Sequence, residues 1–74
     1  MNAYATIEKA PNTTINGRVV RAAIVALTAY NGDWLGAFTV FGRDSAEIKE
    51  RAYAQADLNL ESKGYSLQYI KEAA

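Results

Sequence analysis

The sequence predicts an α+β fold: a small antiparallel or mixed sheet of three to four strands, in the order β-β-β-α-β, with one helix packed on one face. Three observations predict it. Runs of β-branched and aromatic residues are typical of strands, an Asn-Gly pair at 31–32 is typical of a tight hairpin turn, and one capped helical segment follows residue 44. The chain has 74 residues. That length supports one hydrophobic core, so we expect residues 1–74 to form a single domain.

The first predicted strand covers residues 4–9, which mix β-branched and aromatic side chains with polar ones. Pro11 follows it, and proline is typical of a loop because it lacks the main-chain N–H that a strand needs. Residues 12–17 are rich in Asn, Thr and Gly and end in an Asn-Gly pair, which indicates a turn.

Two further strands are predicted at about 19–30 and 34–41, joined by Asn31 and Gly32 in a two-residue type I′ turn. A helix is the alternative for the first of them, because apolar residues also recur there at helical spacing. The β-branched residues and the adjacent turn favour the strand. The residues at helical spacing are Val20, Ala23, Ile24 and Leu27.

A two-residue turn would set the register of this hairpin and therefore the two faces of the sheet. Tyr30 would pair with Asp33 and Ala29 with Trp34, followed by the pairs Leu27–Gly36, Val25–Phe38 and Ala23–Val40. The predicted core face then holds Trp34, Phe38, Val25, Val40 and Leu27. The opposite face is poor in polar residues, so we expect a second copy or a partner to cover it. Its large side chains are Tyr30, Leu35, Ile24 and Phe41.

The helix is predicted at about 45–62. Asp44 with Glu47 three residues later has the form of a capping box, and Gly64 is typical of the residue that ends a helix. The predicted apolar stripe is Ile48, Ala52, Ala56 and Leu60, with Tyr53 beside it. A last strand is predicted at 65–70, with Tyr65, Leu67 and Tyr69 on one side and Ser66, Gln68 and Ile70 on the other.

Composition excludes the commonest catalytic sites. The chain has 8 Lys and Arg, 8 Asp and Glu, and neither His nor Cys. It therefore lacks the side chains for Ser-His-Asp or Cys-His nucleophiles, for zinc sites built on Cys and His, and for redox-active thiol pairs. We expect no enzymatic activity and no metal or cofactor. No apolar run approaches a membrane span and no basic leader precedes one, so we expect a soluble cytoplasmic protein.

Four acidic residues of the helix fall within about 80° of one another on a helical wheel. Two interpretations remain open: a solvated helix face, or an acidic ridge that docks on a protein partner with a basic surface. The acidic residues are Glu47, Glu50, Asp57 and Glu61, and Leu58 lies beside them.

Nucleic-acid binding is a weaker hypothesis, based on aromatic residues and on basic residues at or near the strands. The charge balance of the chain makes it unlikely, because nucleic-acid affinity comes largely from clustered cations. The basic residues concerned are Lys9, Arg18, Arg21 and Arg43.

The short single domain, the sheet with one helix, the absence of His and Cys, and the acidic ridge resemble, at the level of a class, the small inhibitor proteins of phages and mobile elements, anti-CRISPR proteins among them. The resemblance implies a non-catalytic protein that docks on a larger nucleic-acid-handling complex in the host cytoplasm and blocks its binding or assembly surface. The alternative is a structural homodimer, formed through the face that carries Tyr30 and Phe41 or by pairing of edge strands.

Overall fold

A computed structural model describes residues 1–73 and confirms the predicted α+β fold. Its elements follow the predicted order β-β-β-α-β. Of the predicted strand at 19–30, residues 19–29 belong to a strand rather than to the alternative helix, and Tyr30 lies in the following turn. The helix ends within one residue of its predicted boundary. The elements are β1 (Asn2–Ile15), β2 (Arg18–Ala29), β3 (Trp34–Gly42), α1 (Ser45–Glu61) and β4 (Ser66–Glu72).

The four strands form one mixed sheet in the order β3-β2-β1-β4. β2 is antiparallel to both β1 and β3, whereas β4 is parallel to β1. The helix therefore connects the two edges of the sheet, crossing one face on the way from β3 to β4. The other face of the sheet carries no helix.

The first strand is longer than predicted because it continues through Pro11. Its pairing with β2 shifts between Ala10 and Thr13, so that Pro11 and Asn12 lie opposite the single residue Arg21. Such a bulge leaves one residue outside the hydrogen-bond ladder, which is where a strand tolerates a residue without an N–H. The predicted end of the strand at residue 9 was therefore wrong.

The two Asn-Gly pairs form different turns. Asn16 and Gly17 both have positive φ, 51° and 78°, and Ile15 pairs with Arg18 across them. This is the two-residue turn that the sequence favours at Asn-Gly.

At the second pair, only Gly32 has positive φ, 97°. The N–H of Ala29 donates to the Asp33 carbonyl at 2.8 Å, so the loop holds three residues, 30–32. The predicted pairs Tyr30–Asp33 and Ala29–Trp34 were therefore wrong, and Trp34 pairs with Thr28.

A bulge at Leu35 restores the predicted register farther along β3. Thr28 pairs with Trp34 but Leu27 pairs with Gly36, which leaves Leu35 as the additional residue. The predicted pairs Leu27–Gly36, Val25–Phe38 and Ala23–Val40 are present. Trp34 and Leu35 have nevertheless exchanged faces, because the loop and the bulge each shift the alternation by one residue. Trp34 is 70% exposed and Leu35 packs against the core, so both assignments were wrong.

The core lies between the helix and one face of the sheet. The predicted stripe Ile48, Ala52, Ala56 and Leu60 is buried as expected. The largest fully buried side chains are few, namely Leu27, Leu60 and Val25. Alanine occupies most of the remaining contact, which brings the helix backbone close to the strands. The core is therefore thin, and each large side chain in it matters.

The last strand also departs from simple alternation. Its pairing with β1 shifts between Ala3 and Ala5, which adds one residue to β4. Leu67 and Ile70 both pack against the core, and Tyr69 is exposed on the opposite face. The predicted grouping of Tyr69 with Leu67 was therefore wrong, because the bulge reverses the faces after Leu67.

Candidate protein-binding surfaces

No helix covers one side of the sheet in the described residues, and we call this side the open face. It carries every second residue of β2 from Ala22 onward, the partners of those residues on β1 and β3, and the adjacent residues of β4. Its charged members are Glu8 and Lys71, and the rest are small, Thr or aromatic apart from Ile24. We define the open face as Tyr4, Thr6, Glu8, Ala10, Ala22, Ile24, Ala26, Thr28, Tyr30, Trp34, Ala37, Thr39, Phe41, Tyr69 and Lys71.

Three tyrosines from distant parts of the chain meet at one end of the open face. The rings of Tyr4 and Tyr69 are stacked, with centroids 5.3 Å apart and 7° between their planes. The ring of Tyr30 lies 6.3 Å from each of them and is tilted by more than 50°. The Lys71 ammonium lies 5.4 Å from the centre of the Tyr4 ring, within cation-π range.

Trp34 extends this cluster across the sheet. Thr28 pairs with Trp34 on one side and with Tyr4 on the other, so one row crosses all four strands from Trp34 to Tyr69. We call Tyr4, Tyr30, Trp34 and Tyr69 the aromatic row. Sequence reasoning missed the position of Trp34, and the only sequence signal was Gly36, whose φ of 135° accommodates the bulge.

Most of the predicted partner face is present on the open face. Tyr30, Ile24 and Phe41 lie there and are exposed, by 55%, 43% and 38%. Leu35 does not, since the bulge places it against the core. The structure thus replaces Leu35 with Trp34 on this surface.

The predicted acidic ridge of the helix has fewer free carboxylates than the sequence suggests. Arg43 and Arg51 both form ion pairs with Glu47 at 3.3 Å, and the Glu47 side chain is largely shielded from solvent. Glu47 also accepts a hydrogen bond from the main-chain N–H of Arg43 at 3.2 Å. Its charge is therefore neutralised locally and used to hold the start of the helix.

The three other acidic residues of the predicted ridge remain available for contacts. Glu50, Asp57 and Glu61 are exposed, and no ion pair within residues 1–73 involves them. Leu58 lies beside them and is 65% exposed. We call Glu50, Asp57, Leu58 and Glu61 the helix ridge.

The predicted basic residues do not form one patch with the aromatic row. Lys9 and Arg21 pair with residues 23 and 42 and lie on the helix-bearing side of the sheet. Arg18 is at the tip of the β1–β2 hairpin, at the opposite end of the sheet from Tyr69, and Arg43 pairs with Glu47. The four predicted cations therefore do not join the aromatic rings in the way that single-strand binding uses them, and the cation beside the aromatic row is Lys71.

The charged and polar side chains of the described residues lie at the surface or are partly buried. Within residues 1–73 no charged or polar residue is buried, and no group of three or more acidic side chains could hold a metal ion. No helix in this part of the chain is long and apolar enough to span a membrane. The surfaces that the structure offers are the open face and the helix ridge.

No family model, no curated protein and no solved structure matches this chain.

Proposed function

We propose that the chain is a non-catalytic protein-binding module that docks on a larger partner through its open face. The observation that carries the proposal is the aromatic row, a line of three tyrosines and one tryptophan on a helix-free sheet face. Tyrosine and tryptophan are the residues that most often dominate binding energy at protein interfaces. Trp34 exposes most of its surface, which is costly in water unless a contact covers it.

The dimensions of the open face suit an interface. With strands about 4.8 Å apart and about 3.3 Å per residue, four strands and residues 22–30 span roughly 19 Å by 30 Å. The resulting flat area is about 570 Å². Side chains that project from the sheet add accessible surface to it, so the face approaches the roughly 800 Å² of accessible surface that each partner buries in a standard interface. A single partner could therefore cover the whole face.

The chemistry of this face favours a protein partner. Its two charged residues, Glu8 and Lys71, are of opposite sign, so it has no excess of cations for phosphates. Uncharged small and aromatic side chains match the desolvated centre of a protein interface.

The test compares two exposed aromatic residues on different surfaces. Trp34→Ser removes the end of the aromatic row, and Tyr53→Ser removes a ring that is 51% exposed on the helix. Each variant, immobilised, is used to capture proteins from a lysate of the source organism, and the captured partner is then titrated in purified form. We expect Trp34→Ser to weaken binding at least about thirty-fold, as for an interface hot spot, and Tyr53→Ser to bind like wild type. Equal affinity of the Trp34→Ser variant and wild type would refute the proposal.

The helix ridge supports a second candidate surface, because its three carboxylates are exposed and unpaired within the described residues. In this version the protein is an inhibitor that occupies a basic, nucleic-acid-binding surface of a larger complex, as the resemblance to phage and mobile-element inhibitors implies. Carboxylates would replace phosphates on the partner's Lys and Arg residues.

Charge reversal separates the two surfaces. Glu50→Lys with Asp57→Lys should abolish binding if the ridge is the contact, whereas Trp34→Ser should then leave it intact. A control with Asp33→Lys and Glu72→Lys makes the same change in net charge outside both the helix ridge and the open face. Binding by the ridge variant that equals that of the control would eliminate the ridge.

A further inference from the structure

The two edges of the sheet are protected to different degrees. β4, at one edge, carries Lys71 and Glu72 and contains a bulge, and Glu72 also forms an ion pair with Lys49 at 3.0 Å. Charges and bulges are the features that keep an edge strand from pairing with another chain. β3, at the other edge, contains neither a charged residue nor a proline from Trp34 to Gly42. Beyond its bulge at Leu35, the edge is regular.

The hydrogen-bonding groups at the free edge of β3 can be assigned from the ladder. The Ala29 N–H points toward β3, so the main-chain groups of every second residue before it in β2 also point toward β3. Val25 and Ala23 are two of these residues, and they pair with Phe38 and Val40. The main-chain groups of residues 37, 39 and 41 therefore point away from the sheet. The Arg51 side chain donates to the Phe41 carbonyl at 2.7 Å, consistent with this direction. Pairing with a second copy would require Arg51 to release or share this carbonyl.

We propose that a second copy of this chain pairs with β3 in antiparallel orientation, about a two-fold axis that passes beside Thr39. Such an axis is perpendicular to the sheet, joins two sheets into one and leaves both helices on the same side. The inference does not depend on the proposed function, because edge pairing leaves the open face free.

The sequence of β3 is complementary to itself in this register. Thr39 lies opposite its own copy, Ala37 lies opposite Phe41 on the open face, and Phe38 lies opposite Val40 on the helix side. Thr–Thr and aromatic–β-branched pairs are among the favourable cross-strand pairs, and a small residue opposite Phe41 leaves room for its ring. A register centred on Phe38 would instead oppose two phenylalanines and pair Val40 with a glycine.

The helix side of the edge adds an apolar contact. A shallow groove runs along β3 between residues 38–41 and the helix, and Leu58 borders it while exposing most of its surface. A second copy would bring two Leu58 side chains toward the axis. The contact explains the exposure of Leu58, since burial against a copy removes it from water. The remaining lining residues from the helix are Arg51, Ala54 and Gln55.

Sedimentation velocity of the full chain between about 1 and 500 μM tests the inference, because this range covers the affinities of weak and intermediate dimers. We expect wild type to shift from monomer to dimer with concentration. Thr39→Pro should raise the dimer dissociation constant at least about ten-fold, because it removes the central N–H donors while sparing the ladder to β2. Thr39→Lys should do the same by placing like charges opposite each other.

Mixing variants tests the two-fold register. Thr39→Lys and Thr39→Glu chains should each be monomeric alone and should form a heterodimer together, because position 39 faces its own copy. Should Thr39→Pro fail to fold by circular dichroism, the two charged variants decide the question. A wild type that is monomeric at 500 μM, or a dimer that survives both Thr39→Lys and Thr39→Glu, would overturn the inference. Neither result concerns the binding of a partner through the open face, which the Trp34→Ser variant tests separately.

Discussion

The two faces of the sheet are built from the same strands but have different roles. On the helix-bearing face, Leu27 and Val25 are fully buried against Leu60 and the helix alanines. On the open face, Ile24 and Phe41 expose more than a third of their surface and nothing in the described chain covers them. The alternation of side chains along a strand therefore separates stability from binding, and substitutions at neighbouring positions of β2 should affect one property or the other.

The largest effect is expected for truncation on the helix-bearing face. Leu27→Ala should destabilise the protein by about 2–5 kcal/mol, because it removes one of the few large core side chains and leaves a cavity. Ile24→Ala, three residues earlier and on the open face, should cost about 1 kcal/mol, since its side chain is only partly buried. Urea denaturation followed by circular dichroism measures both. Equal losses would contradict the separation of the faces.

A smaller effect is expected where the helix begins against the sheet. A Cβ added at Gly42 would lie 2.9 Å from Ile48 Cγ1 and 3.1 Å from the Ile48 main-chain nitrogen. Gly42→Ala should therefore destabilise by about 1–3 kcal/mol through overpacking. Ala37→Ser, on the open face of the same strand, is the control and should change stability little. Thermal melts of the two variants would show whether Gly42 is required for close packing, and an unchanged melting temperature for Gly42→Ala would show that it is not.

The helix cap should contribute about 1 kcal/mol. The Asp44 carboxylate accepts a hydrogen bond from the Glu47 main-chain N–H at 2.9 Å. Asp44→Ala removes this acceptor and should lower stability by about that amount, whereas Asp44→Asn keeps an acceptor and should lose less. Chemical denaturation distinguishes them. If both variants lost the same stability, the contribution would come from the charge rather than from the hydrogen bond.

The smallest effect on stability is expected for Trp34. Because Trp34 makes little contact with the core, Trp34→Ser should change the free energy of unfolding by less than about 0.5 kcal/mol. The same substitution is expected to weaken partner binding strongly. A large loss of stability in this variant would mean that the ring packs more closely than its exposure indicates, and its binding result would then lose its meaning.

Periodicity and caps predicted the elements, but not the residues at which the faces change. Asp44, Glu47 and Gly64 mark the helix, and its buried stripe follows from spacing alone. The spacing of apolar residues along one strand does not predict the bulges. A bulge depends on how many residues each of two paired strands contributes next to the loop that joins them. The loop after Ala29 and the bulge at Leu35 cancel each other within a few residues, and this placed Trp34 on the wrong face in the prediction.

The candidate surfaces divide in the same way. The exposure of Ile24 and Phe41 was predictable, because their faces follow from the part of the hairpin register that the structure retains. Tyr30 continues the alternation of β2 into the loop and is exposed as well. The involvement of Tyr4 and Tyr69 in one cluster was not, because they lie on strands whose pairing is set by long-range contacts. The neutralisation of Glu47 in the predicted acidic ridge was not predictable either, because it depends on the ion pairs that Arg43 and Arg51 form with it.

The kinds and order of the elements, the helix boundaries and the absence of His and Cys chemistry follow from the amino-acid sequence alone, because they depend on local propensity and composition. Long-range contacts set the pairing of β4 with β1, which leaves β3 as the less protected edge. They also bring Trp34, Tyr4, Tyr30 and Tyr69 into one row. Strand order and register arise from contacts between residues that are far apart in the chain. Local sequence does not encode those contacts residue by residue.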